Sequence, residues 1–310
     1  MPITVDPPRG PPISFRPERW WPRLLFATRG RRLLLSSLRQ LADAPEHFDA
    51  TSRAQRQRDL GRVLLDHLRV RLSLSFAGEL PRDPHIVVSL HEGIADALCL
   101  TQLPLALRFV VRQEVFEWPS IGPAIERMRH IAIEPEQGAR SYRRLLNEAR
   151  AALHAGEHVL IFPQGCLLGI EIDFHPGAFR LARTLGAPIL PVVITGGHRI
   201  WEHPFSATLR YGERVAIRVL TPIIAAEVKG RDPETLRREL QARMKAIALS
   251  PDLPRPRRYV PQRDGFWDGF AFDIDPQFPE VLEIVNAHRS AGSNNMTLHR
   301  ECFPPHLRFC

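Results

Sequence analysis

His85-Ile-Val-Val-Ser-Leu-His-Glu-Gly-Ile-Ala-Asp96 is a short apolar run that ends in a histidine, with an aspartate five residues further on. Such a run followed by Gly93 and a helical pattern reads as a buried strand feeding a helix, and α/β proteins carry functional groups at the carboxyl ends of their strands. His91 is then expected at the lip of a sheet. An aspartate about one helical turn on can accept a hydrogen bond from Nδ1–H and leave Nε2 free as a base. A plainer alternative exists. An isolated H-x4-D spacing arises readily by chance, and the histidine could simply cap a helix or satisfy a carbonyl.

Outward from this stretch, strand and helix alternate. A helix from about Ser52 to His67 has Leu60, Val63, Leu64 and Leu68 on one face, and Val70, Leu72, Leu74 and Phe76 then switch to the period of a strand. After the strand at His85 to Leu90 come a helix from Ile94 to Leu103, a strand from Leu107 to Val111, a short helix around Ile121 to Arg129 and a strand from Ile131 to Ile133. The series continues with a helix from Ala139 to Ala155, a strand from His158 to Phe162, a helix from Ala178 to Leu185 and a strand from Ile189 to Ile194. Ala207 to Arg210 and Val215 to Leu220 flank Tyr211-Gly-Glu213 as a hairpin, and Asp232 opens a helix from Pro233 to Leu249. The expected fold class is α/β, with a central, mostly parallel or mixed sheet covered by helices and an N-terminal helical extension.

Three regions follow from this pattern. Residues 1–69 are a proline-rich start and basic amphipathic helices, 70–222 an α/β core, and 223–310 a helix and an irregular tail packed on that core. The charge is uneven: 42 Lys+Arg against 34 Asp+Glu gives +8, and residues 1–72 alone hold 14 arginines against 7 acids. Trp20, Trp21, Leu24, Leu25, Leu34, Leu38 and Leu41, interleaved with Arg19, Arg23, Arg29, Arg31, Arg32 and Arg39, have the composition of an interfacial anchor, so residues 18–41 are expected at an anionic membrane surface. A helix packed on the domain with its arginines in water has the same pattern. Because Lys229 and Lys245 are the only lysines, part of the arginine excess can reflect codon usage. The start lacks the pattern of a signal peptide and no apolar run approaches ~20 residues, which places the expectation on the cytoplasmic face of the inner membrane, peripherally held. Cys99, Cys166, Cys302 and Cys310 form no paired motif, so neither a disulfide scaffold nor a structural metal is indicated. In the tail, Asp268, Asp273 and Asp275 form no recognisable calcium loop, and an ordered surface cover is the better reading. No nucleic-acid motif accompanies this positive charge.

Three later stretches sit where a catalytic histidine needs help. They are Trp118-Pro-Ser-Ile-Gly122 leading to Ile131-Ala-Ile-Glu134, His158-Val-Leu-Ile-Phe-Pro-Gln-Gly-Cys166, and Gly186-Ala-Pro-Ile-Leu-Pro-Val-Val193. The second exposes a polar side chain and backbone N–H groups at a strand end. In order and spacing, residues 70–220 resemble the glycerolipid acyltransferase family, typified by lysophosphatidic acid acyltransferases. His91 to Asp96 resembles its N-H-x-S-x-x-D block, with Leu90 for Asn and Gly93 for Ser. Residues 114–134 resemble the second block, Phe162-Pro-Gln-Gly165 the F-P-E-G block, Phe174-His-Pro-Gly-Ala178 the F-K-x-G-A segment, and Ile189-Leu-Pro191 the fourth block. The resemblance implies acyl transfer from acyl-CoA or acyl carrier protein to a hydroxyl or amine of a lysolipid-like acceptor, with no permanently bound cofactor. His91 is the implied base, Asp96 its orienter, and Gly93, Phe162, Pro163, Gln164, Gly165 and Cys166 the substrate-binding positions. Backbone donors near Gly165 or Gly93 are expected to hold the oxyanion.

The chain also departs from the pattern. Gln164 replaces the family's glutamate, Cys166-Leu-Leu168 stands where T-R-S is usual, and Glu134-Pro135 stands where an arginine ends the second block. Without these cations a phosphate headgroup has fewer bidentate partners. Arg112, Arg127, Arg129, Arg140 or Arg180 could replace them. The expected acceptor is therefore not lysophosphatidic acid but a neutral or zwitterionic lysolipid, an aminolipid or a polyketide-like alcohol. Two other functions fit the residues: a cysteine-dependent acyl hydrolase or transferase with Cys166 as nucleophile and His91 or His175 as base, and a non-catalytic lipid-binding protein of the same fold.

Overall fold

The computed structural model describes residues 24–45, 49–119, 121–201, 210–267 and 271–291. Trp20, Trp21, the proline-rich start, Ser120, the hairpin arm at 207–209, Asp268, Cys302 and Cys310 lie outside them. Seven strands form one sheet: β1 (Arg71–Phe76), β2 (Ile86–Ser89), β3 (Leu107–Arg112), β4 (Ile131–Ile133), β5 (His158–Ile161), β6 (Ile189–Thr195) and β7 (Arg214–Val219). Their order is β1-β7-β6-β2-β5-β3-β4, and every pairing is parallel except β6 with β7. The α/β class and the mostly parallel sheet are as expected.

The short apolar runs explain the centre. β2 and β6 are buried at every residue, because strands covered on both faces need no polar alternation. Helices α1 (Arg31–Ala42), α2 (Ala50–His67), α3 (Ala95–Leu100), α4 (Gly122–Arg127), α5 (Ala139–His154), α6 (Gly177–Leu185), α7 (Ala225–Gly230), α8 (Pro233–Ala248) and α9 (Pro279–Ser290) connect and cover the strands. The side chains of Asp49 and Asp232 accept backbone N–H bonds at the starts of α2 and α8.

Three expectations need correction. The helix expected from Ile94 to Leu103 is only α3, Ala95–Leu100. The tail is less irregular than expected, since α9 and its own small core run through it. Finally, Leu34, Leu38 and Leu41 of α1 are buried in the main core, so these three face the domain and not a membrane, while Leu24 ahead of them is exposed. Arg29, Arg31, Arg32 and Arg39 remain exposed. The amphipathic pattern is the same for either partner, and packing on the domain won.

At the opposite edge of the sheet from His91, neutral histidines close the strand starts. His158 Nδ1 accepts the His85 N–H at 3.2 Å, and His130 Nδ1 accepts the Phe109 N–H at 3.2 Å. Burial lowers His158 from 6.5 to about 4 and His130 to about 3. Between pH 6.5 and these values the unfolded chain binds protons that the folded chain refuses, so stability is whole above 6.5 and lost as pH falls. The loss is about 1.4 kcal/mol per pH unit for each histidine. The urea midpoint should therefore drop steadily from pH 7 to pH 5, and His158→Gln should flatten that slope; an unchanged slope would refute the assignment.

Candidate active site

The carboxyl ends of β5, β2 and β6 lie side by side, because the three strands are parallel neighbours. Each end gives up its ladder bonds to a loop: Phe162-Pro-Gln-Gly165 after β5, His91-Glu-Gly93 after β2, and Gly196-Gly-His198 after β6. His91 thus stands at the lip of the sheet, its side chain 18% exposed.

Asp96, in the first turn of α3, reaches back with one carboxylate oxygen. Asp96 Oδ2 accepts from His91 Nδ1 at 2.9 Å, the Glu92 N–H at 2.6 Å and the Gly93 N–H at 2.9 Å. The same contact that aligns the imidazole also folds the loop that carries it. With Nδ1–H given to the aspartate, Nε2 is left as the basic nitrogen. The Phe162 ring stacks on the His91 ring, centroids 3.7 Å apart and planes 11° apart, which fixes the remaining torsion.

Gln164 does not reach for a substrate. It is 1% exposed, and its Oε1 accepts the His91 N–H at 2.7 Å while its Nε2 donates to the Gly169 carbonyl at 2.9 Å. An ionised glutamate has no hydrogen to give that carbonyl, so the amide suits this loop. Gly169 itself cannot be another residue: it has φ +152°, and a Cβ would lie 2.6 Å from the Tyr259 nitrogen. Gly93 is equally enclosed, since a Cβ would lie 2.6 Å from the Trp201 carbonyl oxygen and 2.8 Å from His198 Cα. That explains why no serine stands there.

Of the backbone donors near the expected oxyanion, those of Gly93 and Gly165 themselves are committed. The Gly93 N–H goes to Asp96, and the Gly165 N–H closes a turn on the Phe162 carbonyl at 3.1 Å. Cys166 is half-buried, and burial pushes its thiol up to about 11, against the pull of Arg257 and Arg112. A thiol held protonated at neutral pH is a poor nucleophile. His175 is exposed and lies beside Gly165.

Of the candidate cations, Arg112 is tied to Glu114 at 3.1 Å and Glu136 at 2.7 Å, and Arg127 Nε donates to the Ala42 carbonyl. Arg140 borders a pocket of about 240 Å³ past the end of β4, with Glu134, Gln137 and Arg144.

Two features escaped the sequence. Glu92, 2% exposed, accepts the Gly196 N–H at 2.9 Å and bonds His198 Nδ1 at 3.0 Å, so a second histidine–carboxylate pair lies beside the first. The available signal was the repeat of an apolar strand ending in glycine and histidine. The other is the C-terminal segment. Arg257 gives its backbone N–H to Glu92, and the Tyr259 N–H and the Arg258 side chain bond Glu171, which fastens the segment over the loop that follows Gly165. Leu168, Ile172, Tyr259, Trp267, Phe272, Ile274 and Val285 form the small core beneath it. Among the described residues no His, Cys, Asp and Glu cluster is placed to hold a metal ion.

Three parallel strand ends thus carry an oriented histidine, and the Cys166 thiol near it is held protonated at neutral pH. Comparison with known proteins gives the family. The acyltransferase family model matches residues 71–195. A lyso-ornithine lipid O-acyltransferase of Pseudomonas aeruginosa is 30% identical over 199 residues, 59% of this chain and 74% of that protein. A 1-acyl-sn-glycerol-3-phosphate acyltransferase of the same organism is 27% identical over 163 residues, 52% of this chain and 62% of that protein. The crystal structure of the 1-acyl-sn-glycerophosphate acyltransferase PlsC from Thermotoga maritima shares the fold, with a TM-score of 0.60 at 17% identity over 73% of this chain and 93% of that one. The chain belongs to the acyltransferase family. It spans less than two thirds of the glycerol-phosphate relative from Pseudomonas.

Proposed function

We propose that this chain transfers an acyl group from a thioester, acyl-CoA or acyl carrier protein, to a hydroxyl of a lysolipid. The observation that carries the reading is the 2.9 Å bond from His91 Nδ1 to a buried Asp96 at the carboxyl edge of the sheet. His91 Nε2 takes the acceptor's proton as its oxygen attacks the thioester carbon, Asp96 stabilises the imidazolium, and the proton then passes to the departing thiolate. No covalent acyl-enzyme is needed.

For the acceptor, the best reading is a lysolipid without a phosphate monoester. Glu134 stands where the family places an arginine, and Arg112 is neutralised by two glutamates. The acceptor named for the lyso-ornithine lipid relative is of this kind and is the first to try. The exposed arginines around α1 support loose electrostatic contact with an anionic, cytoplasm-facing membrane surface. Among the described residues no helix is long and apolar enough to cross a membrane.

The test is free-thiol release from acyl-CoA, with acceptors presented in anionic vesicles. Lyso-ornithine lipid should turn over faster than lysophosphatidate, added salt should release the protein from the vesicles, and Cys166→Ala should keep its rate within about tenfold. Preference for lysophosphatidate would overturn the acceptor, and loss of all activity in Cys166→Ala would restore the cysteine mechanism.

A further inference from the structure

The negative charge that develops on the thioester oxygen calls for a hydrogen-bond donor beside the base. The N–H groups of Gly93 and Gly165 themselves are spent inside the protein. His198 follows β6, the parallel neighbour of β2, and so opens on the same edge as His91. Its Nδ1 is held at 3.0 Å by Glu92, which directly follows His91. Gly197, one residue earlier, packs so closely on Asp96 that a Cβ there would lie 1.6 Å from Asp96 Oδ1. The two histidine–carboxylate pairs are therefore one packed unit. Glu92 is almost fully buried while the His198 side chain is 16% exposed, so the ring is held on its Nδ1 side and is partly open to solvent.

We propose that His198 is a second catalytic residue, whose Nε2–H donates to the thioester oxygen as the acceptor attacks. The acceptor's O–H proton moves to His91 Nε2 while the new O–C bond forms and the carbonyl π electrons move onto oxygen, against His198 Nε2–H. Collapse restores the carbonyl, breaks the C–S bond and sends the His91 proton to the thiolate. His198 ends the cycle as it began.

The pair must carry one proton beyond the Nδ1–Glu92 bond for Nε2 to be a donor, and a buried site favours that net-neutral state. Burial raises Glu92, with the His198 bond acting the other way. Glu92 also accepts from the Gly196 and Arg257 N–H groups, and Asp96 of α3 is the other acid against this loop, which also carries Arg199. Without that extra proton Nε2 is an acceptor and the oxyanion loses this donor.

This inference rests on the acyl-transfer reading, and the two can fail separately. Thiol release is measured for the full chain, His198→Ala and His198→Gln across pH. His198→Ala should lower kcat about 100-fold with KM changed by less than about threefold, as removal of an oxyanion donor does. His198→Gln, whose amide N–H can stand near the Nε2 position, should recover to within about tenfold of the parent and lose the alkaline limb of the pH profile. A His198→Ala kcat within about threefold of the parent, or a glutamine variant no better than alanine, overturns the inference alone. A parent chain that releases no thiol with any acceptor overturns the acyl-transfer reading and this one with it.

Discussion

His91→Ala should lower thiol release by about 10²- to 10⁴-fold, the usual worth of a general base, while leaving the urea midpoint almost unchanged. The ring is at the lip of the sheet, and its loss removes one bond to Asp96 and the stack on Phe162. Asp96→Asn should fall as far in kcat, because a misoriented or wrongly tautomeric imidazole is nearly useless, but for a second reason as well. Asp96 Oδ2 gathers the Glu92 and Gly93 N–H groups, so the asparagine variant should also lose about 1–3 kcal/mol of stability. The contrast separates base from orienter: similar catalytic losses, with a stability loss only in the second. Retention of more than a tenth of parental kcat by His91→Ala would exclude it as the base.

What the sequence made legible follows from where its signals are local. β2, β5 and β6 are short, wholly or mostly buried apolar runs bounded by turns, and such runs announce themselves without knowledge of their neighbours. The His91–Asp96 pair spans five residues across a strand end and one helical turn, so its geometry is written in its spacing. The role of Gln164 was not legible, since both its partners, the His91 N–H and the Gly169 carbonyl, depend on how two loops meet. The Glu92–His198 bond joins residues 106 positions apart, so the glycine and histidine after β6 mark a strand end but do not name Glu92 as the partner. The face of α1 was misread because an apolar stripe has no label for lipid or protein. In the tail, Tyr259, Trp267, Phe272 and Ile274 pack from loops, where buried residues follow no period.

That tail leads to the second large effect. Lys245 of α8 is 1% exposed and donates to the Ile172 carbonyl and to Asp275 Oδ2, each at 2.7 Å, with the Phe174 and Phe278 rings 5.6 and 5.4 Å away. Burial pulls the ammonium down and Asp275 opposes it. Lys245→Met keeps most of the volume but strands the Asp275 carboxylate in an apolar setting with the Gln277 N–H as a remaining donor, a change that costs about 3–5 kcal/mol. Removing both charges, in Lys245→Met with Asp275→Leu, should return much of that loss, because no buried charge is then left unpaired. The consequence reaches the crevice. Asp275 donates its backbone N–H to the Glu171 carbonyl, Glu171 holds Arg258 and Tyr259, and the Arg257 N–H meets Glu92. If the segment loosens, Gly169 loses its packing against Tyr259, Gln164 loses its fixed carbonyl, and the His91 backbone loses Gln164. Lys245→Met should therefore lower kcat even under conditions where it stays folded, and the double variant should recover stability more fully than activity. Equal recovery of both would mean that the segment braces the fold without setting the position of His91.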